Sequence, residues 1–533
     1  MSLKDYVPIS FTGTLWMPLL AIVLGTTYLI FKSKKSKKET TNYPLPPNGP
    51  SFAEFFPNMM KAPNQSHAIS TYGTIFTIPS PLPGIVPNQV VICEPALVKE
   101  LCVKQSNMYR PPSNFTTRSD PFAYATRQVV GIGVTGLKGE EWLWRKNALL
   151  KEFHKNKLMD AERGLVDIVH REGLRILQEL EKAADSNEVI YADQLTTQAA
   201  VGVVLFFLFG RTLEFDVAIM RKAAKDMIDS LFVRLTNPLY EVLKYIPMTN
   251  AYKTEVKMIA AQKAIDAVVE TELDLLLEEY NGTKPVHPDR KEGSVMASLI
   301  ANEPKFRVGG KGSMLAEARV FVQAGFETTA HSLAFAMGMM AERPDLADQM
   351  GKQGMEALTE DIFQNAQSSF PADSKTIQVL KQALEKTILV KNFFMEALRL
   401  YPLAPALGGE CTSNIDIVTK DGIQYTLPKG TATLFLNIPL QRRQEISNPN
   451  DISPDRWDAP ITQQPFLHTF QNGPHKCPGK PLSLLEGHIF LLLIASKFRF
   501  EFPEDGVTKV QFEDNGLLRP KDSMPLVVKK RHE

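Results

Sequence analysis

One cysteine lies in a short loop rich in Gly and Pro, and it is the residue of this sequence best suited to chemistry. Cys477 falls within residues 470–479, directly before a largely apolar stretch at 482–498. A cysteine at the start of a helix lies near unpaired N–H groups and the positive end of the helix dipole, which favour a thiolate. A thiolate can act as a nucleophile or as a metal ligand. An isolated cysteine is more often an inert core residue, so the neighbours of Cys477 must decide between these roles.

A second group of polar residues lies inside a long apolar segment. Residues 313–342 are compatible with one helix, and their middle reads Gln-Ala-Gly-Phe-Glu-Thr-Thr at 323–329. Ala324 and Thr328 are one turn apart on the same face, and Gly325 would let a ligand approach the backbone closely. A buried Glu327 is costly unless it has a partner or a function. The alternative is a Thr328 that bonds to its own helix and a solvated Glu327.

A third set consists of charged residues at a spacing that allows them to pair. Glu396 and Arg399 are three residues apart in a helical pattern at 383–400, and Arg456 follows in the segment Pro-Asp-Arg-Trp. Most such pairs lie on the surface and contribute less than about 1 kcal/mol. A buried carboxylate held by the fixed donors of arginine would instead keep two segments in register.

These segments resemble the cytochrome P-450 family. The loop has the spacing of the family's haem-ligand motif, Phe-x-x-Gly-x-Arg-x-Cys-x-Gly, except that His475 occupies the position where the family usually has Arg. Its matching residues are Phe470, Gly473, His475, Cys477 and Gly479. Residues 324–329 resemble the family's oxygen-activation motif, and the charged set resembles its Glu-x-x-Arg helix with the downstream Arg.

The resemblance implies a role for each group. Cys477 would be the proximal iron ligand, whose electron density favours O–O cleavage. Thr328 would hydrogen-bond bound dioxygen and Glu327 would help to deliver protons, with Ala324 and Gly325 lining the haem. The third set, Glu396, Arg399 and Arg456, would be structural around the haem.

The contacts to the haem propionates are expected to differ from the family pattern. In the family a Trp followed four residues later by Arg supports a propionate; here Trp142 and Lys146 have that spacing, with Arg145 as the adjacent candidate. The sequence leaves open which of the two cations acts. Glu410 lies in a stretch where the family often carries a propionate-binding Arg. Haem binding should survive, and the charge of His475 should depend on pH.

The N-terminus predicts a membrane anchor. Residues 6–31 carry no charged side chain, residues 15–31 are strongly apolar, and lysines cluster at 32–38. About 20 such residues span a bilayer, and the positive-inside rule places the basic side in the cytosol. A cleaved signal peptide would have its basic region first. We therefore expect an uncleaved anchor at 1–31, a basic and proline-rich hinge at 32–50 and a catalytic domain at 51–533.

Composition is that of a globular protein, with 44% hydrophobic and 22% charged residues among 533. The net charge of +1 gives no support for a nucleic-acid partner. Long helical patterns and short strands predict a mainly α fold: the large helical domain and smaller β-rich part of a cytochrome P-450. Gly131 to Gly136 matches the dinucleotide fingerprint by letter, but no βαβ unit surrounds it, so we predict a loop.

The resemblance implies haem b and the insertion of one oxygen atom from dioxygen into a lipophilic substrate, whether fatty, isoprenoid or steroid-like. Electrons would come from a separate NADPH-dependent reductase at the endoplasmic reticulum, with cytochrome b5 as a further candidate donor. The sequence does not decide between the endoplasmic reticulum and a plastid as the organelle. A reductase-independent isomerase or dehydratase is the first alternative, and a non-catalytic haem or lipid binding protein is the second. Arg110, Arg118 and Arg127 are candidates for gripping a polar substrate group, and the sequence does not choose among them.

Overall fold

The computed structural model describes residues 43–56, 61–80, 88–106, 114–160, 163–237, 239–364, 374–443, 445–503, 506–514 and 516–531. The expected anchor at 1–31, the basic part of the hinge and Arg110 lie outside these residues.

Helices make up most of the described chain. The first half contains α1 (Phe52–Glu54), α2 (Ala62–Tyr72), α3 (Pro95–Lys99), α4 (Asp120–Val130), α5 (Gly139–Glu152), α6 (Lys155–Leu158), α7 (Leu165–Ser186), α8 (Ala192–Phe209), α9 (Val217–Thr236), α10 (Tyr240–Leu243) and α11 (Asn250–Tyr280). The second half contains α12 (Val295–Asn302), α13 (Pro304–Val308), α14 (Gly310–Glu342), α15 (Pro344–Ala357), α16 (Asp361–Gln364), α17 (Ser374–Lys386), α18 (Ile388–Leu400), α19 (Asn437–Gln441) and α20 (Lys480–Lys497).

The strands form a smaller part of the molecule. They are β1 (Ile75–Ile78), β2 (Gln89–Ile92), β3 (Phe115–Thr116), β4 (Val189–Tyr191), β5 (Ala406–Cys411), β6 (Ile415–Val418), β7 (Gln424–Leu427), β8 (Ala432–Leu436), β9 (Phe498–Glu501), β10 (Phe512–Asp514), β11 (Leu518–Pro520) and β12 (Pro525–Lys530). The largest sheet has the order β1-β2-β8-β5-β3, in which β2 and β8 are parallel. The pairing of β3 with β5, Phe115 opposite Cys411, fixes the start of the segment that carries Arg118.

Helix α14 is the central element of the helical core. It runs from Gly310 to Glu342 and ends before Arg343-Pro344, where proline disfavours further helix. It packs against α8, and Thr196 Oγ1 of α8 donates to the Ala330 carbonyl at 3.0 Å. Among the residues that the structure describes, α8 is the helix long and apolar enough to cross a membrane, but it is almost wholly buried in this core. The predicted mainly α fold with a smaller β-rich part is confirmed.

The single helix predicted at 383–400 belongs to two helices in the structure. The pattern at 383–400 is interrupted at Thr387, between α17 and α18. The Thr387 hydroxyl donates to the Ala383 carbonyl at 2.8 Å and lies 2.8 Å from His488 Nε2 of α20. A tertiary contact therefore stabilises the break, and the hydrophobic periodicity of the sequence does not predict it.

The predicted loop at 131–136 is confirmed and contains a short 3-10 turn at Val134–Gly136.

The third charged set is buried. Both side chains of the Glu396–Arg399 pair are fully inaccessible, and they meet through two hydrogen bonds of 2.7 and 2.8 Å. Arg456 donates to the same carboxylate at 3.2 Å, and Trp457 Nε1 donates to it at 3.1 Å. Arg399 also donates to main-chain carbonyls at Gln441, Pro449 and Asp451. The carboxylate therefore joins α18 to the segment at 441–457.

We expect Arg399→Ala to lower the free energy of unfolding by about 3–5 kcal/mol, because Glu396 would remain buried without its bidentate partner. Chemical denaturation of the detergent-solubilised full chain measures the loss. Lys182→Ala is the matched control, since it removes an ion pair of the same spacing with Glu179 that is largely exposed. That variant should lose less than about 1 kcal/mol. Equal losses in the two variants would contradict the structural role of Arg399.

Candidate functional site

The loop that carries Cys477 is held by its own backbone and by one glutamine. Cys477 N donates to the Phe470 carbonyl at 2.8 Å, which closes the loop. The side-chain oxygen of Gln441 accepts from His468 N at 2.7 Å and from Thr469 N at 3.0 Å, directly before the loop. Gln441 Nε2 in turn donates to the Arg399 carbonyl at 3.0 Å. Gln441 therefore joins the Cys477 loop to the buried Glu396–Arg399 pair.

Gly473 is required by the close approach of this loop to the backbone at Cys102. Its φ is +75°, and a Cβ there would lie 1.7 Å from the Cys102 carbonyl oxygen. Both the backbone conformation and the contact exclude a larger residue. Gly479 is different, because a Cβ there would be 3.7 Å from Cys477 Sγ, an ordinary contact distance.

Cys477 differs from the other three cysteines, which are buried and dispersed. It is the exposed one, although protein surrounds its thiol closely enough that burial raises its pKa. Backbone N–H groups of Gly479 and Lys480 and the charge of Arg118 act in the opposite direction. The expected thiolate-favouring groups are therefore present, but burial outweighs them. A thiolate at this position would be stabilised by a bound cation, because a cysteine that binds a metal must be deprotonated.

A cluster of nitrogen donors lies beside Cys477. The rings of Trp142 and His475 stack with centroids 3.9 Å apart. Lys146 Nζ lies 5.1 Å from the Trp142 ring centroid and donates to the Pro474 carbonyl. Burial lowers the pKa of Lys146 to about 8, with further lowering by Lys476 and Arg118. Trp142 and Lys146 thus reach the Cys477 loop together.

His475 is neutral, contrary to the expectation that its charge would vary with pH. Burial, together with the charges of Arg118 and Lys146, lowers its pKa to about 2. It therefore stays uncharged throughout the physiological range and can donate from one ring nitrogen only. Its Nδ1 is buried and has no hydrogen-bond partner in the structure.

Arg118 belongs to this cluster, a role that the sequence did not single out. Burial lowers its pKa to about 10, while Cys477 acts to raise it. Its Nε is also buried without a hydrogen-bond partner. Unsatisfied donors of Arg118 and His475 at one place are what a carboxylate ligand needs. The donor set therefore fits the carboxylates of a cofactor such as a haem, whose iron Cys477 would bind.

Arg145 is turned away from this cluster. Its guanidinium contacts Glu317 of α14 at 3.1 Å and donates to Ser313 Oγ at 2.6 Å, with all three side chains buried. Burial raises the pKa of Glu317 to about 7, against the lowering effects of Arg145 and Val134 N. Of the two cations that the sequence left open, Lys146 reaches the loop and Arg145 ties α5 to α14.

The middle of α14 presents a small accessible face inside an otherwise buried helix. Ala324 is exposed and Thr328 is half-buried, whereas Phe326 and Glu327 are buried. Thr328 Oγ1 donates to the Ala324 carbonyl at 2.8 Å, so the back-bonded alternative is what the structure shows. Gly325 lies where α14 packs against α8. A Cβ there would lie 2.6 Å from Val204 of α8, so this glycine permits close helix packing.

Glu327 has charged partners and is not solvated. It accepts from Arg519 of β11 at 3.1 and 3.2 Å, and its Oε1 lies 3.5 Å from His331 Nε2. Burial alone would raise the pKa of Glu327, but His331 and Arg519 lower it. The spacing of His331, one turn after Glu327, was a signal available in the sequence. No sequence signal pointed to Arg519, because it is distant from Glu327 along the chain.

Comparisons with known proteins agree with this arrangement. The family model for Cytochrome P450 matches residues 47–528. Cytochrome P450 3A16 of Mus musculus is 23% identical over 478 residues, covering 84% of this chain and 84% of the relative. Cytochrome P450 3A1 of Rattus norvegicus is 23% identical, with coverages of 82% and 81%. Probable cytochrome P450 4ac1 of Drosophila melanogaster is 22% identical, covering 76% and 75%.

We expect Gly473→Ala to destabilise the chain more than Gly430→Ala, as measured by thermal unfolding of the full chain. Both glycines have a positive φ, +75° and +82°, so both variants carry the conformational cost, about 1 kcal/mol. Only Gly473 places its Cβ against a backbone carbonyl, whereas Gly430 faces open space. A melting temperature of Gly473→Ala equal to that of Gly430→Ala would contradict the close loop contact.

Proposed function

This chain belongs to the cytochrome P450 family of haem-thiolate monooxygenases, and from that premise we propose that it inserts one oxygen atom from dioxygen into a lipophilic substrate. We propose haem b as the cofactor and a separate NADPH-dependent reductase, with cytochrome b5 as a possible second donor, as the source of electrons. The observation that carries the proposal is the position of Cys477. This exposed residue lies beside Arg118 and His475, each of which has a buried nitrogen without a hydrogen-bond partner.

Cys477 would be the iron ligand, and backbone N–H groups of Gly479 and Lys480 would stabilise its thiolate. When bound, the haem iron supplies activation of dioxygen. Arg118, Lys146 and the neutral His475, supported by stacking on Trp142, would hold the propionates. Arg118 thereby supplies the guanidinium that is missing from the loop and from the stretch around Glu410.

Thr328 and Glu327 would act on the oxygen side of the site. Thr328 lies on the accessible face of α14 with Ala324, and its hydroxyl hydrogen is held by the Ala324 carbonyl. Glu327 is buried, and His331 and Arg519 lower its pKa, so it can accept and pass on a proton. Retention of this acid–threonine pair supports oxygen activation over the isomerase or dehydratase reaction, which needs no protons from solvent.

The substrate would be fatty, isoprenoid or steroid-like. Two apolar segments that we propose as part of its pocket meet in the structure, since Leu518 N donates to the Leu403 carbonyl at 2.8 Å. Both side chains are apolar and buried. A membrane anchor at 1–31 and a hinge at 32–50, before a catalytic domain at 51–533, would place the site at the surface of the endoplasmic reticulum, where such molecules and a reductase are present.

We expect the reduced, carbon monoxide-treated full chain to show a strongly red-shifted Soret band, and Cys477→Ser to lack it, because serine cannot supply a thiolate. Difference spectra of detergent extracts measure this. Cys411→Ser is the control, since Cys411 is buried in β5 away from the loop, and it should keep the band. A Cys477→Ser spectrum equal to that of the unchanged chain would overturn the ligand assignment and the function with it.

Arg118→Ala should speed haem loss by roughly 10–100-fold, because a hydrogen bond to a charged group contributes about 1.5–3 kcal/mol. Transfer of haem to apomyoglobin measures the rate. Arg127→Ala is the matched control: Arg127 is exposed and donates at 3.3 Å to the Gly136 carbonyl. If both variants lose haem at the same rate as the unchanged chain, Arg118 holds no propionate.

A further inference from the structure

Charged side chains from separate elements meet behind Glu327. Asp193 of α8 lies 2.5 Å from His331 Nδ1 and 2.7 Å from the guanidinium of Arg221 of α9. Arg519 of β11 contacts Glu327 at 3.1 Å and Asp229 of α9 at 3.3 Å. None of these groups except Glu327 belongs to a motif that the sequence pointed out.

His331 lies between the two carboxylates. One ring nitrogen is bound to Asp193, and the other, Nε2, is 3.5 Å from Glu327 Oε1. His331 is buried, and its Nε2 makes no hydrogen bond of normal length. Glu327 Oε2 is buried without a hydrogen-bond partner as well. Two adjacent unsatisfied polar atoms inside a protein indicate a place that solvent or a moving proton uses.

A cavity connects this cluster to the surface. It has a volume of about 310 Å³ and its lining includes Asp193, Glu327 and His331. Lys222 and Lys225 line it too, and their side chains are 70% and 50% exposed. The cavity is roomy and polar enough for water. It therefore gives solvent a path to Glu327 and His331.

We propose that His331, held by Asp193, is the proton-relay residue that supplies Glu327 with protons from this cavity; the proposal rests on the function proposed above. His331 Nε2 gives its proton to Glu327 when the reaction beside Thr328 draws one through the carboxylate. The ring is then neutral and keeps its Nδ1–H on Asp193. Solvent in the cavity returns a proton to Nε2, so the relay is restored with one proton moved inward.

The charges around His331 suit this role. The groups that face it are Asp193 from α8, Glu327 from its own helix, Arg519 from β11 and, through Asp193, Arg221 from α9. Burial alone would lower the pKa of His331, but Asp193 and Glu327 raise it to about 9. At neutral pH the ring is therefore charged and holds a proton one short step from Glu327. Asp193 also orients the ring, as a carboxylate does for a catalytic imidazole.

The first readout tests the charge of His331 and does not involve turnover. A raised pKa stabilises the fold fully below the unfolded value near 6.5, and this contribution disappears as pH rises through about 9. The melting temperature of the unchanged chain should fall between pH 6.5 and 9 more than that of His331→Gln. His170→Gln, in which another buried histidine is changed, should keep the slope of the unchanged chain, because burial lowers the pKa of His170.

The second readout follows the fate of electrons. With reductase and NADPH, the full-length holoenzyme is compared with His331→Gln, Asp193→Asn and His170→Gln, and the rate of NADPH oxidation and the hydrogen peroxide released are measured without added substrate. Reduction of oxygen to peroxide or to water consumes one proton for each electron, so late delivery of protons should slow NADPH oxidation by the first two variants about tenfold. This is less than the about 100-fold expected for loss of a catalytic acid. His170→Gln should match the unchanged chain.

The outcomes separate the two proposals. If His331→Gln and Asp193→Asn oxidise NADPH as fast as the unchanged chain while Thr328→Ala releases more hydrogen peroxide, the relay is wrong and the monooxygenase function stands. If His331→Gln changes only the melting temperature, His331 is structural and the relay is equally overturned. If the Cys477→Ser difference spectrum matches that of the unchanged chain, the function proposed above fails and the relay fails with it. Asp193→Asn carries the test if His331→Gln does not fold.

Discussion

A buried carboxylate that is fully satisfied holds the parts of the site in place. Glu396 accepts hydrogen bonds from Arg399, Arg456 and Trp457, and Arg399 binds the carbonyl of Gln441. Gln441 then fixes the chain that leads into the Cys477 loop. An ion pair in water adds little to stability, but one that is closed off from solvent is costly to break, so the backbone around it has few alternatives. The position of the thiol therefore depends on an interaction that lies outside the chemical site.

Electrostatics differ on the two sides of the site. Beside Cys477 the charged groups are cations. Burial and these cations lower the pKa of His475 and keep it neutral, and Arg118 Nε and His475 Nδ1 have no hydrogen-bond partner. Behind Glu327 the charges alternate, from Arg519 through Glu327 and His331 to Asp193, and each carboxylate has a cationic neighbour. The first arrangement suits binding of an anionic group. The second keeps buried carboxylates ionised and allows a proton to pass between them.

The departures from the family motifs have a common consequence. His475 replaces a guanidinium with a ring that donates once, and Lys146 replaces another with a point charge. Arg118 lies in the segment after β3, and the pairing of β3 with β5 brings it close to His475 and Lys146. Arg118 therefore adds guanidinium donors near the loop from a different part of the chain.

The sequence by itself determined the mainly α fold, the bounds of α14 to within a few residues, and the candidate residues Cys477, Glu327, Thr328 and Glu396. These follow from local periodicity and from spacing within single segments. It did not show the break at Thr387, because that depends on a contact with His488 of another helix.

Only the tertiary structure decided which cations reach the site and what state the ionisable groups adopt. It placed Lys146 beside the loop and Arg145 on Glu317, joined Arg118 to His475, and set Asp193 and Arg519 around His331 and Glu327. The physical reason is that pKa shifts come from burial and from charges nearby in space. Neither burial nor the distance between charges can be read from the order of residues, because both are set by the folded structure.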